Sequence, residues 1–169
     1  MNPLKITFNR IDITLTNWMA HNGITVLRIS LGIIFLWFGA LKFFPNLSAA
    51  EEIATRTIST LTFGIVTPAV SLPVLAAWEV LIGLGLLSGR FTRITLALLW
   101  LQMLGTVTPL VLFPTETWTV FPIAPTLEGQ YIIKNLVLVS AGLVIGATAR
   151  GGRLVAEPLV LEKARVGLS

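Results

Sequence analysis

One carboxylate, Glu79, interrupts an otherwise uncharged apolar run from residue 70 to residue 87. A helix rises about 1.5 Å per residue, so this run would place Glu79 near the middle of a bilayer. A charge at that depth is costly unless it is protonated or paired, and such residues commonly mark proton or substrate paths. Glu79 is therefore the first candidate for chemistry.

Two lysines are candidate partners for Glu79, namely Lys42 near the end of the first apolar run and Lys134 near the start of the last. Both are predicted to lie roughly one to two helical turns shallower than Glu79. Their flexible stems could reach inward to the carboxylate or outward to the interface, so both interpretations stay open for each lysine. Glu128, in the preceding loop, could give the outer lysines a second acidic partner, and Gln130 is a further polar candidate beside it.

Arg28 lies about one turn inside the first apolar run, where it could anchor the helix to headgroups or bind an anionic ligand. Gln102, near the middle of the third run, is typical of a residue that hydrogen-bonds across helices. Trp37 and Trp78 could stack on a flat quinone-like ring or fill the bundle interior. The lone His21 is interpreted as a solvated residue rather than a ligand.

Composition places these residues in a membrane protein, because 54% of the 169 residues are apolar and only 12% are charged. The chain has no cysteine, which excludes disulfides, thiolate zinc sites and iron–sulfur clusters. A single histidine excludes a bis-histidine haem, and no metal site is predicted. The net charge of +4 does not indicate nucleic acid, since the basic residues flank apolar runs.

Four apolar runs approach the length of about 17–25 residues that a spanning helix needs, at residues 24–44, 70–87, 94–113 and 131–149. The weaker run at 53–69 contains Arg56 and is predicted to be an outer interfacial helix. Four crossings place nine of the twelve basic residues on one side: Lys5, Arg10, Arg28, Arg90, Arg93, Arg150, Arg153, Lys163 and Arg165. The positive-inside rule then predicts that both termini are cytoplasmic.

The fold class predicted for residues 1–169 is one all-α transmembrane domain, a four-transmembrane-helix bundle. Its N-terminal arm has helical spacing of apolar residues and is predicted to be an amphipathic helix on the inner leaflet. Small residues let helices approach closely in lipid. Glycines that indicate such packing are Gly32, Gly39, Gly83, Gly85, Gly142 and Gly146. The pair Gly142-x-x-x-Gly146 could also form a contact between copies of the chain.

Several of these residues occur in an order that resembles the DoxX-like family of small bacterial inner-membrane proteins. The motifs are LRISLG at 27–32, WFGALKF at 37–43, WE-x-x-x-G at 78–83, GR at 89–90 and GQYIIKN at 129–135. Within that family the sequence is most similar to the branch containing the reactive-chlorine-resistance membrane protein. The resemblance leaves out the N-terminal arm, much of the outer loops and the tail.

The resemblance implies a four-helix protein of the bacterial inner membrane, in a family associated with oxidative stress and with quinone-linked oxidation of sulfur compounds. Arg28, Lys42, Glu79 and Lys134 match the family's charged positions. No bound metal or flavin site is matched, so a quinone or an oxidoreductase partner subunit would have to supply the electron carrier.

Three functions are compatible with these observations. The first is a quinone-interacting or accessory subunit in oxidative-stress or electron-transfer processes, without catalytic activity of its own. The second is a small transporter or proton-coupled permease that uses Glu79 and assembles as a homo-oligomer. The third gives Glu79 and its partners a purely structural role, as polar contacts that hold the bundle together.

Overall fold

The computed structural model describes residues 3–44 and 46–156. Its elements in chain order are the helices and strands α1 (Pro3–Leu41), α2 (Glu51–Leu61), α3 (Pro68–Ser88), α4 (Thr92–Val107), α5 (Pro109–Leu112), α6 (Pro114–Thr117), β1 (Trp118–Val120), β2 (Ala124–Pro125) and α7 (Leu127–Ala147). Lys163 and Arg165, which the charge count includes, lie outside the described residues.

Four helical segments are long and apolar enough to cross a membrane, which confirms the predicted all-α membrane bundle. These are Phe8–Leu41, Pro68–Ser88, Thr92–Leu112 and Leu127–Ala147. The third combines α4 and α5, which Pro109 separates because it has no N–H to continue the helical bonding. The fourth begins four residues before the predicted position 131, since Thr126 caps its first turn by accepting from the N–H of Gly129.

The N-terminal arm is helical, and it is continuous with the first spanning helix. Helix α1 runs without a break from Pro3 to Leu41, with no proline in its interior. Its 39 residues correspond to about 58 Å, roughly twice the hydrocarbon thickness. The arm and the first predicted span therefore form a single helix.

The buried core is formed mainly where α1 packs on α3 and α4 packs on α7. Its members are apolar side chains from all four long helices, and large apolar residues on the outer faces remain exposed, as expected where lipid is the solvent. The core residues are Leu31, Phe35, Ile82, Leu86, Leu96, Leu99, Met103, Ala141 and Ile145.

Glycines permit the closest helix approaches. A Cβ at Gly83 of α3 would lie 2.5 Å from the backbone nitrogen of Leu36 in α1. A Cβ at Gly142 would lie 3.0 Å from Trp100 Nε1, so this part of α7 faces α4 of the same chain. Gly146 likewise faces Leu96. The Gly142-x-x-x-Gly146 pair is therefore used in packing within the chain rather than left free for a contact between copies.

Helix α2 has 11 residues, about 17 Å, which is too short to span, in agreement with the prediction that residues 53–69 do not cross. Arg56 forms an ion pair with Glu116 of α6 and lies over the ring of Phe113. The loop at 114–129 is rich in proline, yet it contains the single-turn helix α6 as well as an antiparallel β1–β2 pair. Pro114 is tolerated because it occupies the first turn of α6.

Candidate functional site

Glu79 is buried, 8% exposed, and both of its carboxylate oxygens accept hydrogen bonds. Lys42 Nζ donates to Oε2 at 2.6 Å, and Gln102 Nε2 donates to Oε1 at 2.6 Å. Glu79 comes from the middle of α3, Gln102 from α4, and Lys42 from the turn that follows α1. Three helices of the bundle are thus joined at one polar site, which we call the Glu79 site.

Local sequence explains how Lys42 reaches the carboxylate. Helix α1 ends at Leu41, and the backbone N–H of Lys42 donates to the carbonyl of Gly39 at 3.1 Å. Gly39 faces Glu79 directly, since an added Cβ there would lie 2.7 Å from Glu79 Cβ. The missing side chain brings α1 onto α3 at the level of the acid, and Lys42 is left 7% exposed.

Burial of this ion pair requires additional polar contacts, because the desolvation of both charges opposes their attraction. Gln102 supplies one contact to Glu79, and the carbonyl of Phe38 accepts from Lys42 Nζ at 3.4 Å. Gln102 Oε1 is buried without a hydrogen-bond partner among the described residues, and so is Ser71 Oγ, which lies about two turns before Glu79 on α3. Through Gln102, the site therefore retains accepting capacity that the described residues do not use.

A cavity of about 220 Å³ lies beside the ion pair. Lys42 and Phe43 line it from the end of α1, and the first turns of α3 line the opposite wall. Pro73 in that wall has no N–H to donate to the carbonyl of Ala69, so a backbone acceptor is left free next to the cavity. The lining is apolar apart from the lysine and this backbone.

The other predicted polar candidates from α7 do not join the site. Lys134 is exposed, with its ammonium 5.4 Å from the centre of the Tyr131 ring. Glu128 and Gln130 are also exposed. The reason is the rotation of α7, which buries Ile132 and turns Lys134 outward. Between the two lysines left open by the sequence, the structure pairs Glu79 with Lys42.

Arg28, grouped with Glu79 in the sequence analysis, lies far from it. Arg28 lies fourteen positions before Lys42, a distance of about 21 Å along the helix. Its Nη1 donates to the carbonyls of Leu86 and, at 3.2 Å, Leu87. Arg28 therefore ties α1 to the C-terminal end of α3, where a cation is favoured by the unpaired carbonyls.

Replacing Gly89 by alanine tests this contact. Gly89 follows α3 with φ 66°, and an added Cβ would lie 2.8 Å from Arg28 Nη1. We expect Gly89→Ala to lower the free energy of unfolding by about 1–3 kcal/mol, from the left-handed backbone and the displaced guanidinium together. The measurement is thermal unfolding in detergent. Gly64→Ala is the control, because Gly64 has φ 80° but open space around it, and a loss as large as that of Gly89→Ala would contradict the contact.

The two tryptophans singled out by the sequence have separate roles. Trp37 is 64% exposed and lies on the outer face of α1, so it neither fills the interior nor lines the Glu79 site. Trp78 is half-buried and its Nε1 donates to the carbonyl of Leu98 at 3.1 Å, which links α3 to α4. Sequence reasoning missed Ser71, although a lone hydroxyl two turns before Glu79 in an apolar run was a usable signal.

The chain is similar to a known protein family. A family model, DoxX, matches residues 23–114, which is more than half of the chain. The matched range contains Arg28, Lys42, Glu79 and Gln102 and ends before Lys134. No curated protein and no solved structure matches the chain significantly. Over the residues that the structure describes, no group of three or more His, Cys, Asp or Glu side chains could hold a metal ion.

Proposed function

The chain belongs to the DoxX family, and on this premise we propose that it is a quinone-interacting accessory subunit of an oxidative-stress or electron-transfer system in the bacterial inner membrane. The observation that carries the proposal is the Glu79 site, a carboxylate, an ammonium and an amide brought together inside a membrane-spanning bundle. An intramembrane ionisable group is energetically costly, and such a group is by default a candidate functional site.

The residues around the Glu79 site fit a small carbonyl-bearing ring. The adjoining cavity of about 220 Å³ is smaller than the usual drug-sized pocket, so it suits a single ring. Lys42 lines the cavity and also forms the ion pair with Glu79, and its ammonium can donate to a carbonyl oxygen. Phe43, Leu72 and Pro73 supply apolar walls.

A bound quinone would supply the two-electron redox chemistry that the side chains of this sequence lack. The part of the chain's own residues is then binding and proton exchange. Lys42 would orient a carbonyl oxygen of the quinone. When Lys42 moves from Glu79 to the ligand, Oε2 of Glu79 would take up a proton released on quinol oxidation, or return it on quinone reduction, while Gln102 holds Oε1 in place. An oxidoreductase partner with its own cofactor would have to take up or supply the two electrons.

The charge distribution supports an orientation with both termini in the cytoplasm. The end of the bundle where α3 joins α4 and α7 ends has five described arginines, which are Arg28, Arg90, Arg93, Arg150 and Arg153. At the opposite end Lys42, Arg56 and Lys134 are accompanied by four described acids, Glu51, Glu52, Glu116 and Glu128. From the positive-inside rule, we infer that the arginine-rich end faces the cytoplasm.

Glu79→Gln provides the test in cells. In a strain that lacks the native chain, the variant is expected to protect against an oxidant no better than an empty vector, because the amide cannot exchange the proton. Survival after the challenge is measured together with the amount of protein inserted in the membrane. Arg56→Gln is the control, since it removes an exposed ion pair that does not include Glu79 or Lys42. Full resistance from an inserted Glu79→Gln variant would contradict the proposal.

A second candidate function is a small proton-coupled permease that uses Glu79. Two buried atoms without partners among the described residues favour it, because Gln102 Oε1 offers a polar position beside the carboxylate and Ser71 Oγ offers another about two turns away on α3. Assembly as a homo-oligomer would then need a surface other than Gly142 and Gly146. Proton flux into proteoliposomes that is lost in Glu79→Gln would support this function. A variant that loses only thermal stability would indicate a structural role.

A further inference from the structure

A second cavity, of about 440 Å³, lies at the arginine-rich end of the bundle and is separate from the Glu79 site. Helix α1 lines one side of it with His21, Thr25 and Arg28. The start of α4 contributes Thr92, and the segment after α7 contributes Arg153. Three segments distant in sequence thus direct polar side chains into one space.

The charge of this cavity is of one sign. Two guanidinium groups and one imidazole line it, and no aspartate or glutamate is among the described residues that do so. Only Nη1 of Arg28 is engaged, with the carbonyls at the end of α3, which leaves Nε and Nη2 without acceptors in the described parts of the chain. Arg153 forms no ion pair with any described residue. The cavity therefore has N–H donors and positive charge in excess of what the protein uses.

Backbone groups at the cavity reinforce this preference. Helix α4 begins at Thr92, and the residue before it, Phe91, provides no side-chain cap, so first-turn N–H groups remain available. Helix N-termini favour anions. The C-terminal carbonyls of α7, which would disfavour an anion, are partly occupied because Thr148 donates to Ile145 from both its backbone and its hydroxyl.

The remaining walls are apolar. Ala20 and Ile24 of α1, Ile145 of α7 and Leu154 line the cavity beside the charged groups. A ligand that fills the space should therefore carry an anionic group together with an apolar part. Basic pockets between spanning helices on the cytoplasmic side of membranes have this character and bind lipid headgroups.

We propose that this cavity binds the phosphate of an acidic membrane phospholipid, with Arg28 and Arg153 as the charged contacts and His21 as a further N–H donor. A free phosphate offers the same anionic chemistry but nothing for the apolar walls. The lipid is thus expected to bind more tightly than the inorganic ion. Bound there, it would join α1, the start of α4 and the segment after α7 at one end of the bundle.

The test uses the full chain purified in mild detergent and titrated with phosphatidylglycerol, with native mass spectrometry as the measurement of bound lipid. Arg153→Gln is expected to weaken binding about five-fold, since one basic residue near a phosphate contributes about 1 kcal/mol. Arg90→Gln is the matched control, because Arg90 is an exposed arginine at the same end that does not line the cavity. Arg28 is left intact because its bonds to α3 contribute to folding.

Four outcomes are distinguishable. Weaker binding in Arg153→Gln with unchanged binding in Arg90→Gln supports the proposal. Loss of the lipid on adding millimolar inorganic phosphate, with the same dependence on Arg153, assigns the site to free phosphate and overturns the lipid as its ligand. Equal losses of lipid binding in the two variants would indicate that general surface charge attracts the lipid. Unchanged lipid binding in Arg153→Gln would show that Arg153 does not contact the lipid. Either result overturns the proposal.

Discussion

Lys42→Met is expected to lower the free energy of unfolding by about 3–5 kcal/mol, the largest single effect anticipated for this protein. The substitution preserves most of the side-chain volume and removes only the ammonium. Glu79 is then left buried at 8% exposure with a single hydrogen bond from Gln102. An uncompensated carboxylate in a low-dielectric interior has to be neutralised or exposed, and both responses destabilise the bundle. Unfolding of the purified protein in detergent measures the change.

The double variant Lys42→Met with Glu79→Gln separates the ion pair from its surroundings. With both charges removed, most of the lost stability should return, because a buried pair contributes little net stability although each half alone is unfavourable. The coupling free energy from the double-mutant cycle is expected to be on the order of 2–3 kcal/mol. If the single losses simply add in the double variant, the two groups do not interact and the Glu79 site is not formed as described.

The second large effect is expected from Gly39→Ala. The added Cβ would lie 2.7 Å from Glu79 Cβ and 2.9 Å from the backbone nitrogen of Val80, both too close to be relieved by a side-chain rotation. Helix α1 must move away from α3 at the level of the acid, which weakens the Lys42 contact as well as the packing. A loss of about 1–3 kcal/mol is expected in the same unfolding measurement.

Gly23→Ala supplies the control on the same helix. Nothing lies within 4 Å of the Cβ that would be added there, so the substitution only improves helix propensity. We expect no loss, and a gain of up to about 1 kcal/mol. Equal losses at both positions would mean that Gly39 has no special role in the contact between α1 and α3.

The number of spans and the position of Glu79 could be predicted because both depend on local properties. Hydropathy and run length identify helices that lipid can solvate, and a single acid in such a run can be identified from the sequence alone. The short α2 was recognisable for the same reason, since Arg56 and several hydroxyl groups interrupt its hydropathy.

The partner of Glu79 could not be chosen from sequence, because the choice depends on the rotation of whole helices. Lys42 and Lys134 have similar positions near helix ends, and only the packing of α7 turns Lys134 outward. Arg28 has the correct charge for the site but lies about 21 Å along α1 from Lys42, a separation that spacing alone made clear. Its target, the carbonyls that end α3, is a tertiary contact with no counterpart in the sequence pattern.

The extent of the first helix could not be predicted for a different reason. Apolar residues at helical spacing predict a helix correctly, yet they do not say where one helix ends and the next begins. No residue from Asn22 to Ile24 ends the helix. The side-chain Nδ2 of Asn22 donates to the backbone carbonyl of Trp18, one turn earlier. A break would have required a proline or a turn motif at that position.

The most direct test of the central claim, that the Glu79 site holds a quinone, is mass spectrometry of small molecules extracted from the protein after purification in mild detergent. The wild-type chain should retain about one quinone per protein, as one site requires, whereas the Lys42→Met, Glu79→Gln double variant should retain none while remaining folded. Wild-type protein that retains only bulk phospholipid, or a double variant that retains as much quinone as the wild type, would contradict the claim.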